Sequence, residues 1–201
     1  MTGEPLEQVS DDALMAGIAG GDKHAFTTLF RRRRHDVYRV ALLMTGRAAV
    51  AEEIVQDVFL GLMREASRYE PGRSTVTAWL CGIARNHARR RLDQDSRIVP
   101  LAGGGEPGAE EPSVHPDPLR DIATAQHVEA LRRAILTLPV RYREVVVLCD
   151  LQELSYADAA AALDCVVGTV RSRLHRARAL LAAKMREGAS VRNSIIKRCL
   201  A

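Results

Sequence analysis

The sequence predicts an all-α protein made of two small helical domains joined by a flexible acidic linker. Apolar residues make up 47% of the 201 residues but aromatic residues only 4%. The cores must therefore be built from Leu, Val, Ile and Ala, which favours helices over sheets. Apolar positions recur at helical spacing in two long stretches. From about Ser96 to Leu119, glycines, prolines and acidic residues interrupt that pattern.

The first domain is predicted at residues 10–95 as a bundle of four helices. Ser10 is the expected N-cap of a helix through Ala19, which Gly20 and Gly21 stop. Further helices are expected at about 24–44, 48–67 and 76–92. Their apolar faces include Leu29, Val37, Val40, Ile54, Val58, Leu62, Trp79, Leu80 and Ile83. Trp79 is expected in the core, because large aromatic side chains are usually buried.

The second domain is predicted at residues 121–187, after a linker at 96–120, and no role is assigned to the tail at 188–201. Its first two helices are separated by Pro139. Ser155 and Asp158 have the spacing of a capping box that starts a short alanine-rich helix. A second helix follows from about Val167, which completes a helix-turn-helix pattern.

The second helix of this motif has two distinct faces. Its apolar stripe carries Val167, Val170, Leu174, Ala177 and Leu181. Its opposite face carries Gly168, Arg171, Ser172, His175 and Arg176. Apart from His175, the ionisable residues from Cys165 to Arg186 are all cationic, so a salt-bridged surface helix lacks its acidic partners. The pattern therefore indicates binding in the major groove of DNA, where Arg reads guanine edges.

Charge and cysteine usage limit the other possibilities. The net charge is +4, and basic residues cluster at 31–34, 85–91 and 171–186. Cys81, Cys149, Cys165 and Cys199 are far apart, so neither a disulfide framework nor a structural zinc site is expected. The first three are expected to be small buried residues, and Cys199 an exposed thiol. We expect no metal, no cofactor and no membrane insertion, and a cytoplasmic location.

Several segments follow a recognisable order and spacing. They are Gly21-Asp22 with Ala25-Phe26, the run from Ala51 to Leu60, Ala78-Trp79-Leu80 with Ile83 to Asn86, and Leu138-Pro139 with Arg143 and the run Gly168 to Leu174. Together they resemble the extracytoplasmic-function (ECF) group of bacterial RNA polymerase sigma factors. The resemblance covers about residues 11–187, and any one of these segments alone is modest evidence.

The resemblance implies binding to core RNA polymerase, promoter recognition and promoter opening, with both double-stranded and single-stranded DNA as ligands. It also implies an anti-sigma factor as a partner. The residues implied in core polymerase binding are Glu52, Glu53, Gln56, Asp57 and Phe59. Those implied at the −10 element are Tyr69, Arg73, Ser74, Val76, Arg85, Asn86, Arg89 and Arg90. Those implied at the −35 element are Gly168, Thr169, Arg171, Ser172, Arg173, His175 and Arg176.

Three positions depart from the family's pattern. Val76 stands where many members carry Phe, which leaves the shape of the base pocket and the base preference open. Asp164 replaces a common Gly in the turn, and Asp tolerates the left-handed conformation better than most residues. Val166 replaces a Pro or small polar residue, so the recognition helix loses a possible cap at a cost of about 1 kcal/mol.

Two other functions fit the sequence less well. An ordinary helix-turn-helix regulator explains residues 168–178 but leaves the first bundle without a role. An enzyme is disfavoured, since the sequence has no glycine-rich phosphate loop and no paired nucleophile and base. The linker acids Glu106, Glu110, Glu111 and Asp117 fit two roles equally well, a mimic of nucleic acid inside the polymerase or a simple flexible tether. The run Arg31 to Arg34 fits a solvated helix face better than a contact site for upstream DNA or an anti-sigma factor.

Overall fold

The computed structural model describes residues 9–97 and 118–199, with side chains for 9–96 and 127–186. Within these ranges the chain is helical and has no strand, which confirms the predicted fold class. The helices are α1 (Asp11–Ala19), α2 (Lys23–Thr45), α3 (Ala48–Glu65), α4 (Val76–Arg97), α5 (Pro118–Leu136), α6 (Val140–Val146), α7 (Tyr156–Leu163) and α8 (Val167–Cys199). A 3-10 turn at Ala66–Arg68 follows α3, and a π-helical turn at Val147–Leu151 follows α6.

Local capping chemistry sets the helix ends. Ser10 Oγ accepts a hydrogen bond from the Ala13 N–H at 3.2 Å, as its predicted role requires. Asp22 Oδ1 caps α2 by accepting from the N–H groups of His24 and Ala25. Gly46 ends α2 in the left-handed conformation, with φ of 73°. Helix α4 continues past its predicted end, to Arg97, and α8 extends to Cys199.

The first domain packs α1 to α4 around an aliphatic core. Its fully buried residues include Leu29, Val37, Val40, Ile54, Val58, Leu62 and Leu80, as the periodicity predicts. Phe59 joins them at 2% exposure, edge-to-face with Phe30 at 4.9 Å between ring centroids. Burial of such large apolar side chains is the main source of stability for a bundle of this size.

The arginine run 31–34 is partly structural. Arg32 Nη1 and Arg33 Nε each lie 2.6 Å from a carboxylate oxygen of Asp11. Arg33 also pairs with Asp36 at 3.2 Å. The two contacts to Asp11 hold α1 against α2, so the two middle arginines are less solvated than the sequence suggested.

The second domain places its helix-turn-helix on α7 and α8. The Asp158 N–H donates to Ser155 Oγ at 3.0 Å, which confirms the capping-box prediction. Asp164 adopts φ 50° and ψ 53°, the left-handed turn that its side chain tolerates. Val166 is 72% exposed, and its side chain has no oxygen to cap α8.

The two domains pack on each other along one continuous hydrophobic cluster. Helix α4 contacts α7, and α2 contacts α5 and α6. The Arg143 guanidinium donates to the carbonyl oxygens of Met44, Leu136 and Leu138, which ties the ends of α2 and α5 together. The Arg39 guanidinium donates to the Leu151 carbonyl at 3.1 Å. The interface is therefore a mixture of apolar packing and charged donors.

Some expectations fall outside these residues. The linker acids Glu106, Glu110, Glu111 and Asp117 and the side chain of Cys199 lie outside the described part of the chain. Cys81 is buried, and burial raises its thiol pKa to about 12. Cys149 and Cys165 are only half-buried. Among the described helices, none combines the length and apolar character needed to cross a bilayer.

Candidate nucleic-acid interface

The first part of the candidate interface is the exposed side of α8, here called the recognition face. It consists of Gly168, Arg171, Ser172, His175 and Arg176, all of which are exposed. The opposite side of the helix buries Val170, Leu174 and Ala177, at 0–2% exposure. Val167 and Leu181, at the two ends of the predicted stripe, are half-buried and pack against the core. A helix anchored on one side in this way offers a rigid cationic edge to a DNA groove.

The arginines of α8 differ in what they contact. Arg178 makes a two-point ion pair with Asp150, with Nε at 3.0 Å and Nη2 at 2.5 Å from the carboxylate oxygens. Within the described residues, Arg171 and Arg176 have no carboxylate partner. Arg171 lies 5.9 Å from the Tyr156 ring centroid. Arg171 and Arg176 therefore keep their charge available to a polyanion.

The half-buried edge of the recognition face carries Thr169 and Arg173. Arg176 lies beside the Tyr142 hydroxyl, and this contact lowers the pKa of Tyr142. Arg141, 4.8 Å from the Tyr142 ring centroid, acts in the same direction. The second domain thus gathers positive charge around the recognition face, as a phosphate-binding surface requires.

The second part of the candidate interface is a cleft of about 550 Å³ at the start of α4. Five of the eight predicted −10 residues line it: Tyr69, Arg73, Ser74, Arg85 and Asn86. Its other walls are formed by Arg68, Glu70, Trp79, Gly82 and Ile83 from the first domain and by Ala161, Ala162 and Asp164 from the second. Its volume is within the range of about 300–1,000 Å³ that is usual for small-molecule sites.

Tyr69 and Trp79 form the floor of this cleft, here called the −10 cleft after the element that its residues are predicted to bind. The Tyr69 hydroxyl lies 2.6 Å from Asp12 Oδ1 and 2.9 Å from the Ser74 carbonyl oxygen. Burial and the Asp12 carboxylate raise the pKa of Tyr69, so the phenol stays protonated. Trp79 packs edge-to-face on Tyr69 at 5.8 Å between ring centroids and is half-buried. Trp79 is thus both part of the core and part of the cleft wall.

One charged residue at the −10 cleft was not found from the sequence. Glu144, on α6, is 2% exposed and accepts a hydrogen bond from Arg85 Nε at 2.6 Å. Arg85 Nη1 donates to Asn86 Oδ1 at 2.8 Å, and Arg89 Nε lies 3.7 Å from the same glutamate. No local pattern identifies Glu144, because its partners lie more than fifty residues away in the chain.

The remaining predicted −10 residues lie around the cleft. Val76 is 3% exposed and packs in the core at the start of α4. Arg89 and Arg90 are exposed on the next turns of that helix, outside the cleft. Val76 is not among the residues that line the cleft, and the two arginines extend a basic edge away from it.

The predicted polymerase-binding residues lie on or under the outer face of α3. Glu52, Glu53 and Gln56 are exposed and Asp57 is half-exposed. Phe59 is buried at 2% exposure, so its ring supports the face from beneath and does not reach the surface. Two other apolar residues, which the sequence analysis missed, reach the surface of α3 where Phe59 does not. They are Leu60, which is 59% exposed, and Met63, which is 58% exposed.

Ion pairs to α4 hold the acidic side of this face. Arg91 Nη2 lies 3.0 Å from Glu53 and 3.9 Å from Asp57. His87 Nδ1 lies 3.6 Å from Asp57, and burial lowers the pKa of His87. Among the described residues, no group of His, Cys, Asp or Glu is arranged to hold a metal ion.

Comparison with known proteins matches both halves of the chain. Residues 29–98 match the family model of sigma-70 region 2, and residues 128–181 match that of sigma-70 region 4. The chain is 36% identical over 175 residues to the ECF RNA polymerase sigma factor SigM of Mycobacterium tuberculosis, which covers 86% of this chain and 83% of that protein. It is 33% identical over 179 residues to the ECF RNA polymerase sigma-E factor of Escherichia coli, and this match covers 86% of this chain and 92% of that protein.

A solved structure is similar over most of the chain. It is the sigma factor RpoE of Bartonella quintana in complex with the anti-sigma factor NepR. The TM-score is 0.63 at 25% identity, and the match covers 80% of this chain and 96% of that one.

Proposed function

This chain belongs to the ECF group of RNA polymerase sigma factors. From that premise we propose which of its surfaces binds each part of the promoter and which binds core polymerase. It is a transcription initiation factor and not an enzyme, because the polymerase carries out the chemistry. The proposal assigns duplex reading to α8, capture of an unpaired base to the −10 cleft, and polymerase docking to α3. It also assigns a cytoplasmic location, an anti-sigma factor as partner, and the domain bounds 10–95 and 121–187.

One observation carries the proposal: a single cleft gathers Tyr69, Arg73, Ser74, Arg85 and Asn86. A base removed from the stack needs a pocket, a donor or acceptor for its edge and a cation for its backbone. Asn86 offers an amide, the aromatic pair below it offers an apolar floor, and the arginines offer the charge. An ordinary duplex-binding regulator has no use for such a pocket.

The recognition face supports reading of the −35 element. Arg171 and Arg176 lack carboxylate partners among the described residues and can donate to guanine edges or to phosphates. Gly168 has no heavy atom within 4 Å of where a Cβ would lie, so the start of α8 is open enough for a close approach to the DNA backbone. Thr169, Ser172, Arg173 and His175 complete the contact set.

The outer face of α3 supports docking on core polymerase. Leu60 and Met63 are exposed apolar side chains beside Glu52, Glu53 and Gln56. A central apolar patch with a polar rim is the usual composition of a reversible protein interface. In this proposal Phe59 fixes the patch from beneath, and Asp57 fixes its acidic edge through Arg91.

The test is run-off transcription on fragmented genomic DNA with core polymerase, with and without the protein. We expect discrete new start sites that depend on the protein, and their alignment will give both promoter elements. No new start site from folded protein that still binds duplex DNA would favour the regulator reading.

A paired variant tests the −10 cleft itself. We expect Asn86→Ala to remove the preference for forked over fully duplex promoter DNA, because the base edge loses its amide partner. Gln94→Ala, a second exposed amide on the same helix, is the matched control and is expected to keep that preference. Equal behaviour of the two variants would contradict the assignment of Asn86.

A further inference from the structure

We propose that Asp12, on α1, is a positioning residue of the −10 cleft. It fixes the loop at residues 69–75, here called the capture loop, through a clamp made of the Asp12 carboxylate, the Tyr69 hydroxyl and the Ser74 carbonyl oxygen. This inference rests on the proposed function, because the capture loop supplies Tyr69, Arg73 and Ser74 to the cleft.

The clamp closes the capture loop across its base. Tyr69 begins the loop, Ser74 lies near its end, and the Tyr69 hydroxyl donates to the Ser74 carbonyl at 2.9 Å. Between them, the Arg73 N–H donates to the Glu70 carbonyl at 3.3 Å, and Gly72 adopts a left-handed φ of 86°. Both hydrogen bonds lie within the loop, so they set its shape and not its position on the bundle.

Asp12 ties the loop to another element of the bundle. Its Oδ1 lies 2.6 Å from the same Tyr69 hydroxyl, although the two residues are 57 positions apart in the chain. A phenol has one proton to donate, and an ionised carboxylate is a stronger acceptor than a carbonyl oxygen. Helix α1 is itself fixed, since Leu14 and Met15 are buried at 1% and 2% exposure. The capture loop is therefore anchored to a rigid part of the first domain.

The ring and the hydroxyl of Tyr69 have separate roles. The ring is part of the cleft floor, edge-to-face with Trp79 at 5.8 Å between ring centroids. Asp12 is not among the described residues that line the cleft. Burial, and then the Asp12 carboxylate, raise the pKa of Tyr69, so the phenol stays a donor at neutral pH. Asp12 thus acts on a captured base through the Tyr69 hydroxyl and not by touching the base.

Loss of the clamp should weaken capture of the base in particular. Without it, Arg73 and Ser74 gain freedom relative to Asn86, which lies on α4 in the same cleft. A strand that places a base in the cleft must then order the loop, at a cost in conformational entropy. A strand that lacks this base needs no ordered loop and does not bear the cost. The clamp therefore affects the preference for the base more than the overall binding of DNA.

An abasic scan of the −10 element measures this preference. The probe is forked promoter DNA from a protein-dependent start site, bound by core polymerase together with the full chain. Each nucleotide of the unpaired non-template strand is replaced in turn by an abasic tetrahydrofuran site. For the wild type we expect one position at which loss of the base weakens binding at least about fivefold. The ratio of the two dissociation constants there is the base ratio.

Two variants remove the clamp from its two sides. Tyr69→Phe keeps the ring in the floor and loses the hydroxyl, and Asp12→Ala removes the carboxylate. We expect each to lower the base ratio by about two- to tenfold, the range of one hydrogen bond. The double variant should be no worse than the single ones, because both break the same clamp. Asp12→Asn, which keeps an acceptor oxygen, should retain most of the ratio.

Asp11→Ala is the matched control on the same helix. It breaks the ion pairs of Asp11 with Arg32 and Arg33, which hold α1 against α2, but leaves the clamp in place. We expect it to lower the denaturation midpoint and to keep the wild-type base ratio. An equal fall of the ratio in Asp11→Ala and Asp12→Ala would mean a general loosening of α1, which overturns the proposal.

The other outcomes separate the clamp from the function of the cleft. A wild-type base ratio for folded Asp12→Ala overturns the proposal and leaves the proposed function intact. A fall that is additive with that of Tyr69→Phe also overturns it, because Asp12 then acts by another route. If no position of the strand is base-dependent in the wild type, capture by the cleft is wrong, and the clamp has no role in it.

Discussion

The arginines of α8 give a sharp prediction, because two of them look alike in the sequence and differ in the structure. Arg178 is held by Asp150 at two points, whereas Arg171 has no carboxylate partner among the described residues. Replacing either by Ala removes one positive charge. We expect Arg171→Ala to weaken binding to a −35 duplex and Arg178→Ala to leave it nearly unchanged.

The magnitude depends on which group Arg171 meets. A bidentate contact to guanine is worth about 1–3 kcal/mol, or roughly a 5- to 150-fold loss on the correct sequence. A phosphate contact instead weakens all sequences equally and reduces the slope of log affinity against log salt by about 0.9. For Arg178→Ala the loss is a surface ion pair, worth at most about 1 kcal/mol of folding stability, with no change in the salt slope.

The assay is fluorescence anisotropy of the full chain on two labelled duplexes at several salt concentrations. One duplex comes from a protein-dependent start site and the other is unrelated. The reasoning fails if Arg171→Ala binds both duplexes as the wild type does at every salt concentration. It also fails if Arg178→Ala loses as much affinity as Arg171→Ala, since the ion pair with Asp150 would then not be what separates the two residues.

Three further predictions concern stability and docking. Val166→Ser restores a capping oxygen to α8, so we expect about 1 kcal/mol of added stability in chemical denaturation, and Val166→Ala should give none of it. Phe59→Ala should cost about 3–5 kcal/mol of folding stability, because its ring is buried. Leu60→Ala should leave folding stability within about 0.5 kcal/mol and weaken pull-down of core polymerase, because this side chain is exposed. The reverse pattern would contradict the α3 assignment. Burial lowers the pKa of His87, so the folded protein takes up that proton less readily than the unfolded chain and loses stability as pH falls below about 6.5. His87→Gln should flatten the plot of denaturation midpoint against pH between about pH 7 and pH 5, and an unchanged slope would contradict this origin.

The parts of the fold set by nearby residues could be predicted from the sequence. The capping of α1 by Ser10 depends on a side chain three residues from its donor. The faces of α8 depend only on a period of 3.6 residues, so the buried and exposed sets follow directly. The left-handed turn at Asp164 is a choice between a few residue types. Each of these features is decided within one or two turns of helix.

The parts set by a distant element could not be predicted in that way. Arg85 was expected at the DNA surface, and its side chain is 9% exposed because Glu144 of α6 covers it. Tyr69 is held by Asp12 from α1, which no local pattern connects to the loop before α4. Leu60 differs, since a large apolar residue off the buried stripe of α3 is visible in the sequence. Met63 lies off the same stripe, so periodicity alone was able to identify both residues.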